Sequence, residues 1–140
     1  MEKVSLRLAT ENDRSLLVTF DDYCLKAEGK IVKAISDGEC FTVLANGRAV
    51  GFVIFDYRFF DRGWIELLIL GENDRGKGIG GQVFDLLCKQ CRTDKLFTST
   101  NRSNLPIQRA LTKAGFTFAG EIDGLDEGDP ELFYYKEIKK

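Results

Sequence analysis

The spacing of apolar and polar residues predicts one strand and then two helical segments at the start of the chain. Val4 to Leu8 alternates with the two-residue period of a strand. From Leu16 to Ala27 the apolar residues instead recur at helical spacing, after a polar segment that can cap a helix. Gly29 interrupts that pattern, and Ile31 to Ser36 is predicted to form a second helical piece.

The middle of the chain is predicted to form three consecutive antiparallel strands. Cys40 to Ala45 and Ala49 to Tyr57 flank Asn46-Gly47, a dipeptide that strongly favours a two-residue hairpin turn. The next turn is predicted at Asp61-Arg62-Gly63, and the third apolar strand at Trp64 to Leu70. This succession indicates an antiparallel meander.

Helices and strands alternate in the second half of the chain. Ile79 to Cys91 carries its apolar residues on one helical face, and Lys95 to Thr100 follows as a short strand. A further helix is predicted between a cap at Asn104 and a stop at Gly115. The two closing strands are Phe116 to Ile122 and Leu132 to Ile138. The predicted fold class is therefore α+β (mixed α/β), with helices flanking a central, mostly antiparallel sheet of about six to seven strands. The predicted order is β-α-α-β-β-β-α-β-α-β-β.

Length and composition agree with a single domain over residues 1–140. With 44% hydrophobic and 30% charged residues, the chain can supply a packed core. Its formal net charge of −2 argues against broad binding of nucleic acid or of an anionic membrane. No run approaches the ~20 apolar residues that span a bilayer, and the N-terminus lacks a signal pattern, so a cytoplasmic protein is expected.

The absence of histidine narrows the chemistry that the chain can perform. It excludes Ser-His and Cys-His nucleophile pairs together with histidine-based metal sites. A general base must therefore be a carboxylate, a tyrosine, a cysteine, a lysine, or a water held by one of them. Cys88 and Cys91 lie inside a predicted amphipathic helix without a second pair, which favours packing, so no metal site is predicted.

The turn between the third strand of the meander and the next helix carries the sharpest chemical signal. Its sequence is Arg75-Gly76-Lys77-Gly78-Ile79-Gly80. Glycines let the main chain approach a bulky anion, and the amides at a helix N-terminus have no intrahelical partners. With the helix dipole and the charges of Arg75 and Lys77, the turn suits a phosphate or pyrophosphate. A glycine-rich connector with two solvated basic residues is the alternative. A Walker loop is excluded, because the Gly-Lys-Ser/Thr ending is missing.

Two motifs in this chain resemble those of the GNAT N-acetyltransferase superfamily. The glycine-rich turn is similar to the acetyl-CoA loop, Arg/Gln-x-x-Gly-x-Gly/Ala, with Arg75, Gly78 and Gly80 at the specified places. Asn104 to Phe116 resembles the second signature, an Asn-led helix that closes on Gly-Phe, and Ile65 to Leu70 resembles the central strand. The order of strands and helices also matches over nearly the full length. The resemblance therefore implies the GNAT fold for this chain.

The resemblance implies an acyl-CoA-dependent N-acetyltransferase that moves the acetyl group of acetyl-CoA to a primary amine by direct attack. Main-chain amides of the turn would hold the CoA pyrophosphate. Main-chain groups of Leu68 and Leu70 would pair with the pantetheine arm, which enters a gap between the family's fourth and fifth strands. The Leu70 amide would polarise the acetyl carbonyl. Asn104 would contact the pantetheine side or the second strand, and a plain helix N-cap is its alternative role.

The resemblance leaves the catalytic acid open. Many family members carry a tyrosine four residues before the glycine of Gly-Phe, where it protonates the departing thiolate, and here that place holds Leu111. The thiolate could leave to solvent, or Tyr134 or Tyr135 could supply the proton. A non-catalytic acyl-CoA-binding or regulatory module is the alternative function.

The candidate base is Glu66, because several family members use a carboxylate on the central strand to take the amine proton, usually through water. Partial burial would suit Glu66 to this task, since burial strengthens a carboxylate as a base. A partly exposed glutamate paired with a neighbouring lysine or arginine is the alternative.

The acceptor is expected to be a small-molecule or peptide amine. Asp56 to Phe60 ends a strand beside the expected cleft and could bind a planar or carboxylate-bearing acceptor, although ordinary strand-end packing is the favoured interpretation. The acidic connector, Asp123 to Glu131, could attract a cationic amine or could be a solvated loop. Trp64 is predicted to lie in the core. Exposed strand edges make a homodimer a reasonable expectation.

Overall fold

The computed structural model describes residues 2–21 and 26–138. In this part of the chain, strands and helices follow the predicted order. The strands are β1 (Val4–Leu8), β2 (Cys40–Ala45), β3 (Arg48–Phe59), β4 (Arg62–Leu70), β5 (Lys95–Asn101), β6 (Thr117–Ile122) and β7 (Glu131–Glu137). The helices are α1 (Arg14–Thr19), α2 (Glu28–Ser36), α3 (Ile79–Gln90) and α4 (Leu105–Lys113). Short 3-10 turns cover Glu11–Asp13 and Glu72–Asp74.

The strands form one mixed sheet in the order β1-β2-β3-β4-β5-β7-β6. Pairs β1–β2, β2–β3, β5–β7 and β6–β7 are antiparallel, whereas β4 and β5 are parallel. The predicted fold class, an α+β domain with a mostly antiparallel sheet, is therefore confirmed. No helix among the described residues combines the length and apolar character needed to cross a membrane.

Contacts divide the chain into two compact units. The first unit comprises Met1–Phe55 and Glu66–Val83. Its core joins α1 and α2 to apolar side chains of three strands: Leu17, Ile31, Cys40, Phe52, Ile54 and Ile69. Fully burying one such aliphatic or aromatic side chain contributes about 1.5–3 kcal/mol, so this cluster holds the helices against the strands. That the whole chain acts as one domain stays a prediction.

The Asn46-Gly47 hairpin turn forms as predicted. Asn46 and Gly47 have φ angles of 52° and 81°, the left-handed values that a tight hairpin turn requires. The turn is also tied to the chain before β1, because the Lys3 amide donates a 2.9 Å hydrogen bond to Asn46 Oδ1. The Asn46 amide returns a 2.9 Å bond to the Lys3 carbonyl.

Three predicted boundaries were wrong. The first helix ends at Thr19, although its apolar spacing was predicted to continue to Ala27. The turn after β3 lies at Phe60 and Asp61, with φ angles of 53° and 63°, so β4 already begins at Arg62. A bulky phenylalanine rarely adopts this conformation, which is why the pattern gave no signal. In addition, α2 begins at Glu28 and includes Gly29, because one glycine costs a helix only about 1 kcal/mol. The predicted helical positions Tyr23 and Cys24 lie outside the described residues.

The second unit comprises Asp56–Ile65 and Phe84–Lys140. Two of its strands, β5 and most of β7, alternate between a buried face and a half-exposed face. The buried face carries Leu96, Thr98, Thr100, Leu132 and Tyr134. Lys136, which follows the same alternation on β7, donates a 2.8 Å bond from Nζ to the Ala114 carbonyl. The end of α4 therefore lies against the buried face.

Trp64 lies on the half-exposed face, so its predicted place in the core was wrong. The parallel register sets Trp64 opposite Phe97, and Phe97 lies opposite Tyr135 on β7. Strand alternation explains the difference, because the neighbours Gly63 and Ile65 take the buried face.

Candidate functional site

The predicted phosphate-binding turn joins β4 to α3 in the first unit. A single 3-10 turn follows Gly71, and α3 begins at Ile79. Gly76 and Gly78 have φ angles of 74° and 84°, which lie in the left-handed region that favours glycine. Both glycines and Lys77 between them are exposed. The turn therefore presents its main chain to solvent in a conformation that larger residues rarely adopt.

Two further glycines occupy the first turn of α3. A Cβ atom added at Gly80 or Gly81 would meet no heavy atom of the chain within 4 Å, and neither residue has a positive φ. Glycine in a helix costs about 1 kcal/mol relative to alanine. Backbone conformation and packing among the described residues thus give no reason for these glycines. The close approach of a ligand would give one.

The amides at the start of α3 are available to a ligand. The first hydrogen bond that continues into the helix runs from the Gln82 amide to the Gly78 carbonyl, at 3.3 Å. The preceding amides of Ile79, Gly80 and Gly81 therefore have no intrahelical acceptor. These amides point along the axis at the N-terminal end of the helix, where the helix dipole is positive. This end of α3 therefore suits an anion.

Asp74, which the sequence analysis missed, is the buried charge of this turn. Arg48 donates from Nη2 to Oδ1 at 3.1 Å and from Nη1 to Oδ2 at 3.3 Å. Lys77 Nζ lies 3.6 Å from the same Oδ1. The Arg48 hydrogen bond, aided by the Lys77 charge, holds the pKa of Asp74 below its ordinary value. The Arg48–Asp74 pair fixes the turn to the start of β3. The Asp74 carboxylate also offsets part of the Lys77 charge.

Arg75 folds back onto the end of β4. Its Nε donates a 3.0 Å hydrogen bond to the Leu70 carbonyl, and the side chain is half-buried. Arg75, the first residue of the glycine-rich turn, therefore stabilises the turn through its own side chain. This bond takes one of the two acceptor positions of the Leu70 carbonyl oxygen.

A glycine on β3 allows the end of β4 to come close. A Cβ atom at Gly51 would overlap the Ile69 carbonyl oxygen and lie 2.9 Å from Leu70 Cα. Any side chain at Gly51 would therefore displace the main chain of β4. Leu68 and Leu70, the residues predicted to pair with pantetheine, are half-buried in this segment.

Glu66 is exposed on β4, so the partial burial expected for a base is not observed. Ile65 and Ile69 are 3% and 2% exposed and take the buried positions of the strand. In residues 2–21 and 26–138, no lysine or arginine nitrogen lies within ion-pair distance of the Glu66 carboxylate. The role of Glu66 as base stays a prediction.

The candidate proton donors lie on opposite faces of β7. Tyr134 is 6% exposed and belongs to the buried face, where its ring meets Phe118 edge-on at 5.7 Å. Tyr135 is half-exposed on the other face, with its ring 5.7 Å from Phe97. Leu111, at the place of the family's tyrosine, is completely buried on α4. The two tyrosines therefore cannot both serve one ligand on one face of the sheet.

Asn104 caps α4, as its alternative role predicted. Its Oδ1 accepts a hydrogen bond from the Ile107 amide at 3.4 Å. Contact with the cofactor stays a prediction for this residue.

The acidic connector is tied to the segment after β5. Ser103 donates from its amide and Oγ to the two carboxylate oxygens of Asp129, at 3.0 Å and 2.6 Å. Asn101 Nδ2 donates to Asp126 Oδ2 at 2.8 Å. These partners are 26 and 25 residues apart in sequence, which local patterns do not reveal. The connector is thus anchored, and is not simply a solvated run.

The end of β3 packs in part, as the favoured interpretation predicted. Asp56 is buried, and its Oδ1 accepts a 2.9 Å bond from the Arg58 amide. The Arg92 amide donates to the Tyr57 hydroxyl at 3.1 Å. The Arg92 guanidinium carbon lies 4.3 Å from the centroid of the Tyr57 ring.

Cys88 and Cys91 form no disulfide. Cys91 is buried with its Sγ 3.3 Å from Thr93 Oγ1, and Cys88 is half-buried. No group of three or more potential metal ligands occurs within the described ranges.

Comparison with known proteins identifies the family. Residues 6–116 match the sequence model of the Acetyltransferase (GNAT) family, whereas no curated protein matches the chain. The fold resembles the crystal structure of a GNAT-family acetyltransferase from Bacillus cereus ATCC 10987, with a TM-score of 0.89 and 28% identity. That similarity covers 99% of both chains.

Two more distant structures share the fold. A GNAT-family acetyltransferase from Streptococcus agalactiae 2603 has a TM-score of 0.81 at 16% identity, covering 98% of this chain and 96% of its own. The Salmonella typhimurium protein yncA, whose structure includes its cofactor acetyl-CoA, has a TM-score of 0.77 at 14% identity. It covers 98% of this chain and 95% of its own. The family match spans the glycine-rich turn and α4, so the chain belongs to the acetyltransferase (GNAT) family, whose enzymes use acetyl-CoA as acyl donor.

Proposed function

We propose that this chain is an N-acetyltransferase that passes the acetyl group of acetyl-CoA directly to a primary amine. Family membership supports acetyl transfer. The observation that carries the proposal further is the glycine-rich turn, whose glycines leave open space beside free helix amides. We also propose that residues 1–140 act as one domain.

The turn would hold the pyrophosphate of CoA. The amides from Gly76 to Gly81 are the donors, and the dipole of α3 favours negative charge by about 0.3–1 kcal/mol per charge. Lys77, at 3.6 Å from Asp74, is loosely paired and half-exposed, so it can turn toward a phosphate oxygen. Gly80 and Gly81 allow the phosphates to approach without meeting a Cβ atom.

The end of β4 would hold the pantetheine arm. The register of β4 with β5 covers Gly63 to Ile65, and β4 continues for five residues beyond it, to Leu70. Main-chain groups of Leu68 would pair with the arm in the manner of an added strand, which leaves the Leu70 amide to donate to the acetyl carbonyl. The Leu70 carbonyl already accepts one hydrogen bond from Arg75.

Bound acetyl-CoA supplies the acetyl group as a thioester, which a neutral amine attacks to form the amide bond while the carbon–sulfur bond breaks. Glu66 takes the proton that the amine loses, through a water molecule. The Leu70 amide donates a hydrogen bond to the acetyl carbonyl oxygen, where negative charge develops. Tyr134 returns a proton to the leaving sulfur, and solvent is the alternative donor. Most of the rate comes from positioning and from this polarisation.

A binding assay and a turnover assay test the proposal together. Acetyl-CoA should raise the melting temperature as its concentration increases. At one hundred times Kd it should add about 2.7 kcal/mol to the free energy of unfolding. A panel of primary amines should release the free thiol of CoA with at least one member. Absence of any acetyl-CoA binding by calorimetry at about 1 mM ligand would refute the proposal.

A second candidate function is a non-catalytic acyl-CoA-binding module. Leu111 favours it, because a completely buried leucine occupies the place of the family's proton donor. Acetyl-CoA binding without thiol release for every amine of the panel would support this module. Sedimentation analysis would separately test the predicted homodimer.

A further inference from the structure

The half-exposed face of the second unit carries stacked aromatic rings, which we call the aromatic surface: Phe59, Trp64, Phe97, Phe133 and Tyr135. Phe59 stacks on Trp64 with centroids 4.6 Å apart and planes 15° apart. Phe133 lies 5.8 Å from Phe59 and 5.9 Å from Trp64. All five side chains are only half-buried. Neighbouring aromatic side chains that stay partly exposed in this way are typical of a site of interaction.

The hairpin tip beside this surface is strained. Phe60 has a φ of 53°, a left-handed value in which the Cβ atom crowds the backbone. Asparagine or glycine would serve this turn better. Phe60 is nevertheless 75% exposed, and its ring meets Phe59 edge-on at 5.0 Å. The fold therefore holds an exposed aromatic ring at the border of the aromatic surface against its own conformational preference.

A carboxylate lies on the same face of β7. Glu131, Phe133 and Tyr135 alternate along this strand, and two residues of a strand span about 7 Å. Glu131 is half-buried, and its Oε2 accepts a 2.6 Å bond from Ser99 Oγ. Across the described ranges, no basic side chain forms an ion pair with Glu131. Its negative charge is thus matched only by a neutral hydroxyl.

The aromatic surface already accommodates an ammonium group. Lys95 Nζ lies 5.4 Å from the centroid of the Tyr135 ring, within the range of a cation–π interaction. Rings together with an unpaired carboxylate favour a ligand that is both flat and cationic. A carboxylate-bearing ligand would instead meet Glu131 as a like charge.

We propose that the aromatic surface and Glu131 bind the acceptor substrate, and that the acceptor is a primary amine with a flat aromatic ring. The ring lies on Phe133 and Trp64, and the ammonium pairs with Glu131 before it loses its proton. The spacing of about 7 Å between neighbouring positions suits a two-carbon link between ring and nitrogen, as in 2-phenylethylamine. The assignment of this ligand as acceptor depends on the proposed acetyl transfer, whereas its binding does not.

Trp64 is the only tryptophan of the chain and lies in the surface, so its fluorescence reports binding without any turnover. Titration with 2-phenylethylamine should change the Trp64 emission with saturation at millimolar concentration or below. n-Butylamine keeps the charge but lacks the ring, and 3-phenylpropionate keeps the ring but reverses the charge. Each should bind at least about tenfold more weakly, which corresponds to 1.4 kcal/mol.

Two substitutions test the residues. Glu131→Gln keeps an acceptor for Ser99 and should weaken 2-phenylethylamine about tenfold while leaving the weak binding of 3-phenylpropionate equal or stronger. Glu127→Gln removes an equal charge from the exposed connector and should leave binding unchanged. Phe133→Leu should weaken binding, whereas Phe118→Leu, on the opposite face of the sheet, should not. Circular dichroism confirms that each variant folds.

Three results would overturn the proposal: no change of Trp64 emission up to about 10 mM amine, equal binding of 3-phenylpropionate, or equal effects of Glu131→Gln and Glu127→Gln. A monomer–dimer equilibrium that shifts with Phe60→Ala, without amine binding, would instead assign the surface to a second copy of the chain. If acetyl-CoA binds and other amines are acetylated, only the acceptor class fails. If acetyl-CoA does not bind, the proposed function fails instead, whatever the outcome of the amine titration.

Discussion

The Nε atom of Arg75 donates a 3.0 Å hydrogen bond to the carbonyl oxygen of Leu70. This bond joins the first residue of the glycine-rich turn to the last residue of β4. The Arg75 side chain therefore fixes the positions of both segments that are predicted to contact the cofactor, the turn and the end of β4. The charge of Arg75 and its bond to Leu70 can be separated by substitution.

Replacing Arg75 with lysine keeps the charge but loses the planar guanidinium that reaches the Leu70 carbonyl. We expect Arg75→Lys and Arg75→Ala each to lower the free energy of unfolding by about 1 kcal/mol, the value of one such hydrogen bond. Both should weaken acetyl-CoA binding, as measured by calorimetry. Wild-type affinity in Arg75→Lys would show that charge alone matters.

Replacing Gly80 with alanine should separate stability from binding. Because the added Cβ meets nothing within 4 Å, we expect the helix to gain about 0.5–1 kcal/mol and the melting temperature to rise. The same methyl group would intrude on the phosphates and weaken acetyl-CoA at least about tenfold. Gly29→Ala in α2 is the matched control, since its Cβ also meets nothing. It should stabilise the protein without changing affinity. An unchanged affinity in Gly80→Ala would argue against the phosphate site.

The pairing of Asp74 with Arg48 should make stability depend on acid pH. The pKa of Asp74 is lowered in the folded protein, chiefly by the Arg48 hydrogen bond. The stabilisation is therefore complete above the unfolded pKa of about 3.9 and is lost as pH falls through the lower folded value. Urea unfolding between about pH 5 and pH 2.5 should show this loss. Asp74→Asn, which cannot titrate, should have a flatter profile, and an equal slope in both proteins would contradict the assignment.

Glu66→Gln should lower kcat/KM with the responsive amine by about 100-fold or more, the usual contribution of a general base. The loss should be greatest near neutral pH, where the amine is mostly protonated and needs a base. Affinity for acetyl-CoA should stay unchanged, because the proposed cofactor contacts of β4 are main-chain groups. A pH profile that keeps the wild-type shape and height would rule out Glu66 as the base.

Removing the hydroxyl of Tyr134 tests the proton donor. If Tyr134 protonates the thiolate, Tyr134→Phe should lower kcat while leaving the KM for acetyl-CoA nearly unchanged. Tyr135→Phe, on the other face of β7, is the internal comparison. A larger loss of kcat in Tyr135→Phe would reverse the assignment, and wild-type kcat in both would leave solvent as the donor.

Local sequence signals predicted the features that depend on one or two residues. Asn46-Gly47 closes its hairpin as expected, and Asn104 caps its helix, because both roles follow from local backbone chemistry. The glycine-rich turn was found for the same reason, since its signal is contained in consecutive residues.

Tertiary pairings could not be predicted in the same way. Arg48 and Asp74 are 26 residues apart, and neither carries a local mark of its partner. The turn at Phe60 was missed because phenylalanine contradicts the preference of that conformation. Trp64 was placed in the core by its apolar character, whereas strand alternation leaves it half-exposed. Such features depend on the packed fold, and they include the aromatic surface from which the acceptor is inferred.

Gly51 has a consequence for reading the effects of mutations in this chain. Its substitution would displace the main chain of Ile69 and Leu70, although Gly51 belongs to β3 and not to the predicted acetyl-CoA contacts. A genetic screen for loss of activity should therefore recover Gly51 alleles with the phenotype of a cofactor-binding defect. Judged by their phenotype alone, those alleles would be assigned to the cofactor site, although Gly51 acts only by displacing the main chain of β4.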